Sequence, residues 1–188
     1  MESDATQDRL LIAMAGLPGT GKSTIASLLA ERLHALVLNK DAIRARLFSG
    51  TAVDFSRAQD DLCLEVIFIV AEYVLRANTK QTIIIDGRTF SQSYQVEHLF
   101  ARAGSLNVKP AVIEYVCSDT VARQRLDEAQ RTGAHPAGNR TYQLYLALKN
   151  RADPLTADRL VIDTGREPVE KSVERCLTYL RRSVSRAP

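Results

Sequence analysis

GLPGTGKS, residues 16–23, stands between an unbroken apolar run, LLIAMA at 10–15, and a segment with apolar residues at Ile25, Leu28, Leu29 and Leu33. A short continuous apolar run reads as a strand buried on both faces, and the second spacing is that of a helix. The stretch between them is a complete G-x-x-x-x-G-K-[ST] pattern in the strand-to-helix setting the pattern requires. Gly16, Gly19 and Gly21 allow backbone turns that a Cβ would obstruct. Successive amides then face inward and, with the helix N-terminus, form a cradle for phosphate oxygens. Lys22 brings a compact charge to β- and γ-phosphates, and the Ser23 hydroxyl is a magnesium ligand. Gly16, Leu17, Pro18, Gly19, Thr20, Gly21, Lys22, Ser23 and Thr24 are therefore expected to hold a nucleoside triphosphate, taken as ATP with Mg²⁺.

Outward from this loop the chain keeps alternating. ALVL (35–38) reads as a second strand, 41–48 as a short helix, 50–56 as a loop and 57–78 as a long helix. VIFIV within that last segment has a strand's composition, but the segment's length and its flanking Asp60, Asp61 and Glu65 favour helix. QTIIIDGR (81–88) is a strand, and 92–103 a helix closed by Gly104. AVIEYVC (111–117) is a strand, and 118–131 a helix capped by Ser118 or Asp119. TGAHPAG (132–138) is a break, followed by a helix at 140–151, a strand at 159–163 and an amphipathic helix at 168–182. Five such cycles specify one three-layer α/β domain over 1–188, with a five-stranded, mostly parallel sheet. Residues 1–8 and 183–188 are expected to be flexible. Ligands collect at the carboxyl ends of such strands. Here those ends carry Gly16, Asn39 to Asp41, Asp86 to Arg88, Cys117 to Asp119, and Asp163 to Arg166.

Composition narrows the function. The 188 residues are 45% hydrophobic and 25% charged, as in ordinary globular domains. A net charge of +3 suits an anionic ligand but is too small to argue for nucleic acid. Cys63, Cys117 and Cys176 are far apart and odd in number, which points to reduced thiols and a cytoplasmic setting. MESDATQDR lacks the basic and apolar regions of a signal peptide, and VIFIVAEYVL is too short to cross a bilayer. His34, His98 and His135 have no metal-site spacing, and no protease, esterase or dinucleotide fingerprint is present.

GLPGTGKST, a second strand running into LNKDAIR, then IIIDGRTF and an arginine-bearing helix together resemble the small P-loop kinases over roughly 9–182. The nearest group is that of gluconate kinases, chloramphenicol phosphotransferase, zeta-type toxins and the kinase domain of polynucleotide kinases. The resemblance implies that Asp41 orients an acceptor hydroxyl and takes its proton, and that Arg44, one turn on, faces the same cleft and holds an anionic or polar part of the acceptor. Asp41 would otherwise serve only as the cap of the helix that follows it. Asp86 resembles the Walker B carboxylate that holds a magnesium water. Gly87 and Arg88 depart from the family's usual D-A-T, and Arg88 is expected at the acceptor or the γ-phosphate. Residues 119–140 match the lid, with Arg131 expected over the triphosphate, Arg123 stacked on adenine, and Thr164 and Gly165 shaping the adenine pocket.

The reading is an ATP-dependent kinase acting on a hydroxyl of a small polar molecule. Two alternatives stand beside it. A polynucleotide 5′-hydroxyl kinase would need a basic channel and aromatic stacking surfaces, whereas aromatics are only 6% of the chain and Trp is absent. A nucleotide-dependent switch ATPase would leave Asp41 and the lid arginines without a role. Residues 41–60, 63–73 and 88–95 should line the acceptor pocket. Their mixed charge fits a metabolite, an antibiotic or a nucleoside alike, and neither the acceptor nor the oligomeric state can be read from them.

Overall fold

The computed structural model describes residues 9–78, 80–133 and 139–185. Strand β1 (Leu10–Ala15) leads through the glycine loop into α1 (Lys22–Leu33), and β2 (Leu36–Asn39) runs directly into α2 (Lys40–Leu47). After a single 3₁₀ turn, Gly50–Ala52, come α3 (Arg57–Ala77), β3 (Ile83–Asp86) and α4 (Ser93–Ser105). Then follow β4 (Lys109–Val116), α5 (Asp119–Thr132), α6 (Tyr142–Asn150), β5 (Leu160–Asp163) and α7 (Val169–Ser185). The five strands form one sheet in the order β2-β3-β1-β4-β5, and every neighbouring pair is parallel.

The two-residue period of β1 explains the layers. Leu11, Ala13 and Ala15 face one side of the sheet and pack with Leu64, Phe68 and Leu75 of α3 and Val96 and Leu99 of α4. Ile12 and Met14 face the other side and pack with Ile25 and Leu29 of α1 and Cys176 and Leu177 of α7. Both faces are covered, so the strand reads as an unbroken apolar run. α3 settles the VIFIV ambiguity. Leu64, Ile67, Phe68, Ala71 and Leu75 are buried on one side, while Ile69 and Tyr73 stand 64% and 74% exposed on the other. That is a helical period across residues that locally suit a strand.

Two glycines have steric reasons. At Gly16, with φ 129°, an added Cβ would lie 2.3 Å from the Tyr115 carbonyl oxygen, so the loop leaves β1 flush against β4. At Gly87, with φ 82°, it would lie 3.0 Å from the Lys40 amide nitrogen. The departure from D-A-T thus lets the turn after β3 press against the start of α2. The expected 50–56 loop contains the 3₁₀ turn, and α7 runs through Ser185, past the point where fraying was expected. Val184 packs against the α1–α7 core, which explains the extra turn. Most of the TGAHPAG break, including His135, lies outside the described residues, as do residues 1–8 and 186–188.

Phe68 is almost wholly buried between α3, α4 and the sheet, against the His98 ring at 5.0 Å. Phe68→Ala should cost about 3–5 kcal/mol in urea unfolding. Tyr73→Ala, on the exposed side of the same helix, should stay within about 0.5 kcal/mol.

Candidate active site

β1 lies between β3 and β4, so the loop that follows it sits where successive connections diverge to opposite sides of the sheet. Gly16 N–H donates to the Thr89 carbonyl at 2.8 Å, tying the loop to the turn after β3. The Lys22 ammonium is buried and turned back onto its own loop, donating to the carbonyls of Gly16 at 2.7 Å and Leu17 at 2.8 Å. Burial, reinforced by Arg140, pushes its pKa down to about 7 against the opposing pull of Asp86 and Asp41. Ser23 lies in the first turn of α1, beside Lys22.

The rear of the loop is braced. The Thr164 hydroxyl, just after β5, donates to the Thr20 carbonyl at 2.9 Å. Arg125 of α5 donates to the Thr164 hydroxyl and carbonyl, both at 2.9 Å, and to the Gly19 carbonyl at 3.3 Å. The Gly165 amide is held by Asp163 at 2.9 Å. Thr164 and Gly165 therefore stand beside the loop. An open groove lies between α5 and this bend, lined by Val121, Gln124, Arg125, Glu128 and Gly165. Arg123 is exposed near Asp127, with its guanidinium 5.5 Å from the Tyr142 ring centroid.

Asn39 decides what Asp41 is free to do. Asn39 caps α2, accepting from the amides of Asp41 and Ala42 at 3.0 Å each, and its amide group donates to Asp86 Oδ2 at 2.8 Å. Asp41 is thus not the cap. Its buried carboxylate meets Lys40 at 3.2 Å and Arg44 at 3.2 Å through Oδ1, and Arg140 at 3.0 Å through Oδ2. Burial pushes the Asp41 carboxyl up, but Lys40, Arg140 and Arg44 outweigh it and hold the group below its ordinary range. Asp86 is buried, and its Oδ1 has no partner among the described residues.

A second carboxylate organises the cluster. Asp60, in the first turn of α3, accepts from Lys40 at 2.6 Å, from Arg44, and from Arg88 at 3.2 Å. Arg88 also reaches Asp61 and the Tyr94 hydroxyl. Burial pushes Lys40 down to about 8 despite Asp41 beside it. Lys22, Lys40, Asp41, Arg44, Asp60, Arg88 and Arg140 all line one cleft with Pro18, Phe55 and Leu144.

Arg131 is not among them. It occupies the exposed last turn of α5 and pairs with Glu128, its neighbour on the same helix face. Arg140, beyond the Gly-Pro break, reaches the cleft instead. The lid expected over 119–140 includes Arg140, but the arginines singled out in it lie on α5. The available signal was a second arginine at the far side of the same break, just before the α6 cap Thr141.

A glycine cradle ending β1, a carboxylate from the helix after β2 and Arg140 ahead of α6 meet across one cleft of a P-loop α/β fold. The chain belongs to the AAA domain family, whose model matches residues 11–154. No curated protein matches the sequence. Among solved structures, a sugar kinase from Janibacter sp. HTCC2649 is 19% identical, with 93% of this chain and 95% of that one covered and a TM-score of 0.67. A gluconokinase from Sinorhizobium meliloti 1021 is 16% identical, with 94% and 93% covered and a TM-score of 0.65. The Mycobacterium tuberculosis APS kinase CysC, in complex with AMPPNP and APS, is 16% identical, with 93% and 98% covered and a TM-score of 0.67. At these identities the likeness is one of fold. Among the described residues, no helix is long and apolar enough to cross a membrane.

The depressed lysines make stability depend on pH. Between a folded pKa of about 7 for Lys22, or about 8 for Lys40, and the ordinary 10.5, the unfolded chain binds more protons than the folded one. Stability therefore rises with pH across that interval. The ligand-free protein should gain thermal stability from about pH 7 to about pH 8.5, below the range where buried thiols begin to oppose the trend. Lys22→Met should flatten that rise in a melting series.

Proposed function

We propose that the chain is an ATP-dependent kinase that transfers the γ-phosphoryl group to a hydroxyl of a small polar molecule. The observation that carries this reading is Asp41. Its helix is capped by Asn39, so its carboxylate is left to face the cleft that Lys22 also lines. A switch ATPase has no use for a buried carboxylate held on the acceptor side.

The chemistry follows from these positions. Lys22 exchanges the loop carbonyls for phosphate oxygens, and the groove between α5 and Gly165 takes the base. The unpartnered Asp86 Oδ1 and the Ser23 hydroxyl fit a magnesium ion, which when bound neutralises charge on the phosphates. Arg140 releases Asp41 and turns to the transferred phosphoryl group. The acceptor oxygen forms its bond to γ-phosphorus in line, the bond to the β-phosphate oxygen breaks, and ADP leaves. The hydroxyl proton passes to Asp41. A carboxylate held ionised by three cations is a weak base, but phosphoryl transfer needs a positioned oxygen more than a strong one.

The test is transfer from γ-labelled ATP, with Mg²⁺, to pooled hydroxyl compounds that include a 5′-hydroxyl oligonucleotide. Asp41→Asn should lower transfer by about 10²–10⁴-fold. Arg140→Ala should lower kcat by about 10²–10³-fold, and Arg131→Ala should leave it nearly unchanged. Slow phosphate release that no acceptor stimulates and Asp41→Asn does not change would sink the reading.

A further inference from the structure

From the two ends of one side-chain amide, we infer that Asn39 is the positioning residue for the metal: it fixes the Asp86 carboxylate from the start of the helix that carries Asp41. This rests on the kinase reading, which gives Asp86 to magnesium, and adds the residue that orients it. The strands dictate the meeting. β2 and β3 run parallel, and Asn39, the last residue of β2, stands directly across from Asp86, the last of β3. Side chains opposite one another in such a pair share a face of the sheet.

The Asn39 side-chain oxygen accepts from the amides of Asp41 and Ala42 at 3.0 Å each, while its NH₂ group donates to Asp86 Oδ2 at 2.8 Å. Two N–H donors at one end and a carboxylate at the other leave the amide a single workable orientation. Asp86 is 1% exposed, and its Oδ1 has no partner among the described residues. One oxygen of the carboxylate is therefore pinned, and the other is left without a described protein donor. A metal ligand held through its second oxygen keeps its orientation before the ion arrives.

Capping alone does not select asparagine here, because aspartate and serine cap helices about as well. Aspartate offers only acceptors and would set one carboxylate against another. Serine would have to cap and donate from the same atom. Asparagine alone of the three has a separate acceptor and donor on one rigid plane. The turn after β3 is shaped to the same end. A Cβ at Gly87, where φ is 82°, would lie 3.2 Å from Asn39 Oδ1, 3.0 Å from the Lys40 amide nitrogen and 3.2 Å from that of Asp41. Glycine there lets the first turn of α2 sit against the end of β3, close enough for one side chain to serve both.

The experiment separates the donor from the cap. Asn39→Ser and Asn39→Asp keep a capping oxygen and lose the NH₂ donor, whereas Asn39→Ala loses both. Metal affinity is read without turnover, by electron paramagnetic resonance of Mn²⁺ added to the ADP-saturated protein. The Ser and Asp variants should bind Mn²⁺ about 10–100-fold more weakly than the unmodified protein, with melting temperatures within about 4 °C of it. In the transfer assay the Mg²⁺ concentration for half-maximal rate should rise by the same factor, and excess Mg²⁺ should bring kcat back. Mn²⁺ affinities of the Ser and Asp variants within about threefold of the unmodified protein, with only Asn39→Ala impaired and less stable, would reduce Asn39 to a helix cap. That result would overturn the inference and leave the kinase reading standing. Absence of acceptor-dependent transfer, with phosphate release insensitive to Asp41→Asn, would instead remove the kinase reading, and the Mn²⁺ affinities would still decide the link from Asn39 to Asp86. If both variants fail to fold, the unmodified protein decides the matter by NMR. The Asn39 NH₂ signal should shift when Mg²⁺ is added to the ADP complex, and an unmoved signal would overturn the inference.

Discussion

The central position of β1 is the constraint on which the site depends. It pairs in parallel with β3 on one side and β4 on the other, and the glycine loop leaves it at that crossing. The loop has neighbours on every side: the Tyr115 carbonyl against Gly16, the Thr89 carbonyl on the Gly16 amide, and Thr164 under Thr20. These contacts come from β4, the turn after β3 and the turn after β5. The cradle's shape is therefore a property of the whole sheet rather than of eight residues.

The second requirement is electrostatic. Lys40, Asp41, Arg44 and Arg88 are all buried, and removing such charges from water is expensive unless each is paired. Asp60 makes the arrangement tenable by accepting from three cations, which arise on α2 and on the turn after β3. A network of this kind is a weak source of stability. Its effect is to fix geometry, because a displaced member leaves a buried charge without its partner. The cost is visible in the downward shifts of Lys22 and Lys40, both dominated by burial.

Much of this was legible in the sequence, for identifiable reasons. Buried strands and amphipathic helices carry periodic signals, so all five strands and the helices packed on them fall within a few residues of their expected places. The glycine loop is legible because its chemistry admits few alternatives. Arg44, expected at the acceptor, and Arg88, expected at the acceptor or the γ-phosphate, both line the cleft that Lys22 shares. The bond from Asn39 to Asp86 and the roles of Asp60 and Arg125 are not legible, because they act through partners 16 to 106 positions away in the chain. Among the arginines of α5 the sequence points to Arg131, which stands just before the Thr-Gly break. That same helix holds it against Glu128 on the surface.

The folded-back Lys22 gives the ligand-free loop a placeholder. Its ammonium already occupies the carbonyls of Gly16 and Leu17, so a phosphate does not enter an unsatisfied site; it displaces an internal competitor. The net affinity is then a difference between two sets of contacts, smaller than either set alone. When a product departs, the lysine can return to its own backbone, and the cradle is not left with a bare buried charge. On the kinase reading proposed above, the side chain that would grip the phosphate also has a place to return to when it leaves.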